Sequence, residues 1–164
     1  MRYSKIRSED ISNGPGIRVS IFVQGCKHCC PNCFNKETWN FNEGHEYTDR
    51  TKNGIINLMN NKKVVGFSIL GGEPLQQDKN LLDLIIKIKE QYPNKTIWMW
   101  TGYEYENLTE EQLEYIKYID VLIDGKYIEK YKCPNELYKG SSNQRIIDVQ
   151  QTLKSNSICL YSLN

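Results

Sequence analysis

Residues 18–34 read RVSIFVQGCKHCCPNCF, and this stretch decides the fold. Its first seven residues alternate and are rich in β-branched and aromatic side chains, the pattern of a strand. The strand delivers the chain to Gly25 and then to Cys26, Cys29, Cys30 and Cys33, four cysteines within eight positions. Thiols gathered at the carboxyl end of a strand point to a fold that keeps its chemistry at that end.

Outward from this stretch, strands and helices take turns. Residues 25–47 are polar and aromatic, carry Pro31 and show no period, so they read as a long functional loop. Ile55, Leu58 and Met59 recur at helical spacing in TDRTKNGIINLMNNKK, despite Gly54, and Val64 to Leu70 follow as a buried strand. That strand runs into Gly71-Gly72-Glu73-Pro74. Leu81, Leu84, Ile85 and Ile88 then mark a second helix, with Asp78 as its N-cap and Pro93 beyond its end. Residues 96–101, TIWMWT, form a third core strand in which Trp98 packs inward, and Thr109 with Gln112 makes a capping box for a helix to about Tyr118. Val121, Leu122 and Ile123 supply a fourth strand closed by Asp124 and Gly125, and a last strand is expected around Ile146 to Val149, after the KGSSNQR loop. Such alternation implies an α/β domain with a mostly parallel sheet and right-handed crossovers. Roughly four or five such units make a partial, open (β/α) barrel with its chemistry on the loops after the strands.

The 164 residues fit one domain, taken as 1–164. Lys plus Arg number 21 and Asp plus Glu 20, a net charge of +1 that is too balanced for a general binder of nucleic acid or membrane surfaces. No apolar run approaches the ~18 residues of a membrane span, and the start, MRYSKIRSED, lacks the apolar core of a signal peptide. A cytoplasmic location is therefore expected, where the six cysteines stay reduced and call for a chemical explanation rather than bridging.

Thiolates at Cys26, Cys30 and Cys33 can wrap one metal centre from a single loop, and Pro31 keeps a helix from running through it. A structural zinc site is closed and four-coordinate, usually built from two separated ligand pairs. No second pair occurs at that spacing, and Cys133 and Cys159 stand apart as free thiols. Cys29 would complete a tetrad only by pointing the same way as its neighbour Cys30. An iron–sulfur cluster on three cysteines instead leaves one iron open to bind a substrate directly. His28 and His45 read as surface or loop residues, and Arg145 as either a solvated charge or a fork on a carboxylate or phosphate.

The C-x3-C-x2-C spacing after a first strand, followed by the aromatic Phe34, resembles the signature of radical S-adenosylmethionine enzymes. Asn13-Gly14-Pro15-Gly16-Ile17-Arg18 is similar to the DGPGxR sequence of their glycyl-radical activating branch, with Asn13 where Asp is usual. Trp39, Gly71-Gly72-Glu73-Pro74-Leu75, Trp100-Thr101-Gly102-Tyr103, Asp120 to Gly125 and Gly140-Ser141-Ser142-Asn143-Gln144-Arg145 extend the likeness. From about residue 13 to 150 the chain resembles the family that activates anaerobic ribonucleoside-triphosphate reductase.

The resemblance implies a [4Fe–4S] cluster on Cys26, Cys30 and Cys33, its fourth iron chelated by the amino and carboxylate groups of S-adenosyl-L-methionine, with Cys29 outside the ligand set. It implies that Asn32, Cys33 and Phe34 lie near the adenine. Gly71, Gly72 and Glu73 would receive the methionine moiety, Glu73 accepting from its ammonium, while Thr101 and Asp124 face the ribose or methionine side. It implies reductive cleavage to a 5′-deoxyadenosyl radical that makes a glycyl radical on the partner reductase, with flavodoxin as electron donor. Because that glycine is a backbone position, the partner must insert a loop at the mouth of the open barrel, and residues 127–145 are the candidate contact. Two alternatives stay open: another radical enzyme, such as the activator of a different glycyl-radical protein or a small 7-carboxy-7-deazaguanine synthase, and a zinc-binding interaction module.

Overall fold

The structure, a computed structural model, describes residues 1–163. In chain order it comprises β1 (Arg2–Asp10), β2 (Ile17–Val23), β3 (His45–Glu46), α1 (Asp49–Met59), β4 (Val64–Gly71), α2 (Lys79–Gln91), β5 (Thr96–Trp100), α3 (Glu110–Ile116), β6 (Val121–Asp124), β7 (Arg145–Asp148) and α4 (Val149–Ser155). The strands form one sheet in the order β3-β1-β2-β4-β5-β6-β7.

The four central strands are parallel and joined by helical crossovers, as the alternation predicts. The flanks differ. β1 and β3 on one side and β7 on the other run antiparallel, so the sheet is mixed, and it has two edges and does not close. β7 reverses direction because the 125–144 segment returns from β6 without a crossover helix, and an antiparallel neighbour needs none. β1 was not legible from RYSKIRSED because its side chains are half-exposed or exposed until the buried Asp10, leaving no apolar alternation to read. α4 and the two-residue β3 also go beyond the expectation.

Helix ends follow their caps. The Thr48 hydroxyl accepts from the Thr51 N–H at the start of α1, Asp78 caps α2, and Thr109 with Gln112 forms the anticipated capping box of α3. Inward residues of α1 to α3, such as Ile55, Leu84 and Ile116, pack on Ile21, Ile69, Met99 and Leu122 in one core. The alternate residues of the strands face the other side, where Trp98 is buried against Arg18, Val121 and Ile123. Among the described residues no helix is long and apolar enough to cross a membrane. The register Val23↔Gly71, Ile69↔Met99 and Trp100↔Ile123 brings the carboxyl ends of β2, β4, β5 and β6 into one row. The cysteine loop, the Gly-Gly-Glu turn, Thr101 and Asp124 all follow from that row.

Candidate functional site

The cysteine loop leaves β2 through Gly25, at φ +108°, a backbone that favours glycine. The loop closes on itself: the Gly25 and Cys26 N–H groups donate to the carbonyls of Thr38 and Trp39, at 2.7 and 3.0 Å. The buried Gln24 amide donates to the carbonyls of Glu37 and Asn40, both at 2.9 Å. Inside the loop, Cys30-Pro31-Asn32-Cys33 forms a turn in which the Cys33 N–H donates to the Cys30 carbonyl at 3.0 Å. Proline fixes the second position and Asn32 takes φ +57°, the signature of a type II turn, and this sets Cys30 and Cys33 at its two ends.

All six cysteines are free thiols. Cys26, Cys30 and Cys33 are half-buried, whereas Cys29, at φ +47°, is exposed and its thiol turns back to the Cys26 carbonyl. The adjacent pair Cys29 and Cys30 thus diverges, as expected. Burial pushes the Cys26 thiol up to about 11, with the Glu73 charge adding to the effect, while the N–H groups of His28 and Cys29 face its sulfur and work the other way. Burial also raises Cys30, opposed by the Tyr127 N–H.

The Gly71-Gly72-Glu73 turn packs directly under this loop. The Gly72 and Glu73 N–H groups donate to the carbonyls of Val23 and Gly25, both at 2.8 Å. A Cβ on Gly71 would meet the Val23 backbone at 2.6 Å, and one on Gly72 would collide with the Gly25 carbonyl. Both glycines therefore serve backbone-to-backbone contact within the protein.

Glu73 is 1% exposed and its carboxylate is saturated. One oxygen accepts from the Leu75 N–H at 3.0 Å and the Thr101 hydroxyl at 2.8 Å; the other accepts from the Gly102 N–H at 2.7 Å and pairs with His28 Nε2 at 2.9 Å. Its roughly four lone-pair positions are engaged by partners within the protein. Thr101 is likewise engaged with Glu73 and with the Tyr103 N–H. Asp124, 1% exposed, is held by Arg145 and by the Tyr105 N–H at 2.9 Å, which answers the fork expected of Arg145. Asn32 and Phe34 remain exposed, Phe34 at 78%.

A family profile described as a 4Fe-4S single cluster domain matches residues 12–147. The anaerobic ribonucleoside-triphosphate reductase-activating protein of Escherichia coli K12 is 41% identical over 148 residues, covering 88% of this chain and 96% of the relative. Those of phage T4, 41% identical over 148 residues (89% and 93%), and Vibrio cholerae, 38% over 150 residues (89% and 97%), align similarly. The chain belongs to the anaerobic ribonucleoside-triphosphate reductase-activating protein family.

Within this family member, His28 lies in the loop, as its sequence position implies, but its partners were not foreseen. It is not a surface histidine: its side chain is 9% exposed, bonded to Glu73 and edge-on to the Tyr103 ring at 4.6 Å. Gln76 completes the clamp, accepting from the Lys27 N–H at 2.7 Å and donating to the Tyr103 hydroxyl at 2.9 Å. The signal that could have found it is strand order. β4 and β5 are neighbours, so the residues after them, Glu73 and Thr101 to Tyr103, had to meet beside whatever follows β2.

Proposed function

We propose that the chain generates a glycyl radical on anaerobic ribonucleoside-triphosphate reductase by reductive cleavage of S-adenosyl-L-methionine at a [4Fe–4S] cluster, on a partial, open (β/α) barrel. The observation that carries this is one loop at the carboxyl edge of the parallel strands offering three half-buried free thiols, Cys26, Cys30 and Cys33, with Cys29 turned outward. The 4Fe-4S profile and the relatives named for activating the reductase support it.

The donor set fits such a cluster. Amide groups of His28 and Cys29 face one sulfur and that of Tyr127 faces another, the surroundings that stabilise anionic sulfur. Among the described residues no three His, Cys, Asp or Glu side chains converge on one ion-sized point. A cubane takes one thiolate at each of several irons and needs no such convergence, whereas a single zinc ion does. When bound, the cluster supplies the electron that splits S-adenosyl-L-methionine into methionine and the 5′-deoxyadenosyl radical that takes a hydrogen atom from a glycine of the reductase.

The chain's own residues position and shield. Glu73, through His28, Thr101 and Gly102, locks the thiol loop to the ends of β4 and β5. We assign the methionine moiety to the half-buried backbone of Gly71 and Gly72, and the adenine to the Asn32–Phe34 edge, where the Phe34 ring is free to stack. The partner's glycine is part of a backbone and must be brought in on a loop. Exposed Ile128, Tyr131 and Leu137 give the 127–145 segment an apolar contact for it.

Mixing the reduced, cluster-loaded protein with S-adenosyl-L-methionine and anaerobic ribonucleoside-triphosphate reductase is expected to give a glycyl radical signal by electron paramagnetic resonance. A signal with a different glycyl-radical protein and none with the reductase would overturn the partner. A colourless protein carrying one zinc would overturn the chemistry.

A further inference from the structure

The span between Cys26 and Cys30 has no main-chain hold of its own. Among the described residues no backbone carbonyl receives the N–H of Lys27, His28 or Cys29, whereas the Cys26 N–H on one side donates to Trp39 at 3.0 Å and Cys30 on the other belongs to the closed turn with Cys33. Side chains from two neighbouring strand ends hold it instead. Gln76, in the turn after β4, accepts from the Lys27 N–H through Oε1 at 2.7 Å, and its Nε2 donates to the Tyr103 hydroxyl at 2.9 Å. The Tyr103 ring, which follows β5, meets the His28 ring edge-on at 4.6 Å, and His28 is bonded to Lys27. The four residues therefore close a circuit. Gly102 walls it: a Cβ there would meet the His28 ring at 2.5 Å, so the slot that takes the ring has the width of bare backbone. Glu73 grips the same ring at Nε2, but the circuit is the tie that reaches the main chain of the span.

We propose that Gln76 and Tyr103 are positioning residues that keep the 27–29 span shut against the ends of β4 and β5, and thereby set how long the centre stays bound. The inference rests on the cluster assignment above. A cluster held by three thiolates leaves the protein once a ligand cysteine swings away, and Cys26 and Cys30 are the two ends of this span. The span opens only after the circuit breaks, so each bond of the circuit lengthens the lifetime. Neither side chain serves as a ligand; they act through the Lys27 N–H and the His28 ring. Both are half-buried and Lys27 is exposed, so water takes up the groups freed by truncation, and the loss falls on the span rather than on the fold.

The test is the rate at which the loaded protein, kept anaerobic, gives up iron to excess bipyridyl, followed by the absorbance of the ferrous chelate. Tyr103→Phe keeps the ring beside His28 and loses only the bond to Gln76, and it is expected to release iron about fivefold faster than the parent, the worth of one ordinary hydrogen bond. Gln76→Ala loses both its bonds and should be at least as fast, and the double variant no faster than Gln76→Ala, because the hydroxyl acts through Gln76. Gln76→Glu still accepts from Lys27 while the Tyr103 hydroxyl donates to its other oxygen, and is expected to restore the parental rate. Thr48→Ala removes the N-cap of α1, on a different part of the fold, and should lower the melting temperature without speeding release. Parental rates in Tyr103→Phe and Gln76→Ala would overturn the inference, as would an equal acceleration in Thr48→Ala or a Gln76→Glu as fast as Gln76→Ala. If Gln76→Ala loads no cluster, Tyr103→Phe decides alone. A parent that loads no [4Fe–4S] cluster sinks the assignment of the site and this inference with it, whereas a loaded parent with unmoved variants sinks only this inference.

Discussion

Removing the Glu73 carboxylate separates a residue that organises the site from one held ready for a ligand. In Glu73→Ala the Leu75 and Gly102 N–H groups lose a buried acceptor, and the Thr101 hydroxyl and His28 lose a partner as well. Each stranded backbone donor costs about 1–3 kcal/mol, so the two together cost about 2–6 kcal/mol before any cavity is counted. That is a large part of the ~5–15 kcal/mol that holds a domain of this size. Glu73→Gln keeps the shape and one oxygen. Whichever way the amide turns, its NH2 faces a backbone N–H, that of Leu75 or that of Gly102, while the Thr101 hydroxyl or the His28 ring can adapt by accepting. One stranded donor makes the cost about 1–3 kcal/mol. Urea unfolding of the cluster-free protein under anaerobic conditions reads both values. Equal losses in the two variants, or losses below ~1 kcal/mol in both, would refute the reasoning.

Three further outcomes are expected. Cys29→Ala should load iron and sulfide like the parent whereas Cys30→Ala should not, by metal and sulfide analysis after anaerobic reconstitution; the reverse result would move the ligand set to Cys26, Cys29 and Cys33. Gly54→Ala should stabilise the fold by about 0.5–1 kcal/mol in thermal unfolding, because Gly54 lies inside α1 and a Cβ added there would meet nothing within 4 Å. The Arg145 fork lowers the Glu106 carboxyl to about 2 from its ordinary 4.5, so its contribution is present above about 4.5 and lost as pH falls toward 2. Glu106 is half-exposed, which limits the effect to below ~1 kcal/mol, and the melting-temperature gap between parent and Glu106→Gln should close as pH falls to that range.

The parallel centre of the sheet was legible because each crossover carries its own signal: Ile55, Leu58 and Met59 recur at helical spacing in the first helix, Asp78 and Thr109 cap the next two, and Gly71 and Gly125 end two of the strands. β1 was not, since it pairs with β2 through a charged sequence whose outer face meets water. The cysteines could be read as candidate ligands from spacing alone. The task of Glu73 could not, because a glutamate at a strand end looks the same whether its lone pairs face a substrate or a neighbouring loop. Arg18 shows the same limit. Belonging to a recognised motif, it is fully buried at the opposite end of β2, where it donates to Ser68 Oγ at 2.7 Å and to the carbonyls of Phe67 and Thr96, both at 2.9 Å. A Cβ on Gly14 would press on its side chain at 2.8 Å, so part of the Asn13–Arg18 motif is there to seal the base of the sheet.

The electrostatics of the thiol loop impose a cost on loading it, and that cost is measurable. Burial, with the Glu73 charge beside it, holds the Cys26 thiol up to about 11, so near neutral pH the cluster-free loop carries its proton there. Iron must displace that proton, and binding through this sulfur gains about tenfold in affinity for each pH unit raised while pH stays below 11. The sign follows from the direction of the shift: a thiol with a raised value is protonated across the working range, so alkali favours the metal-bound form and acid favours release. Iron uptake at limiting iron should therefore climb between about pH 7 and 9, and Glu73→Gln, which removes the neighbouring charge but leaves the larger effect of burial, should keep the climb and raise uptake at each pH by lowering the Cys26 value. Uptake that ignores pH across that interval would mean that Cys26 is already a thiolate in the cluster-free loop, and that the amides of His28 and Cys29 outweigh its burial.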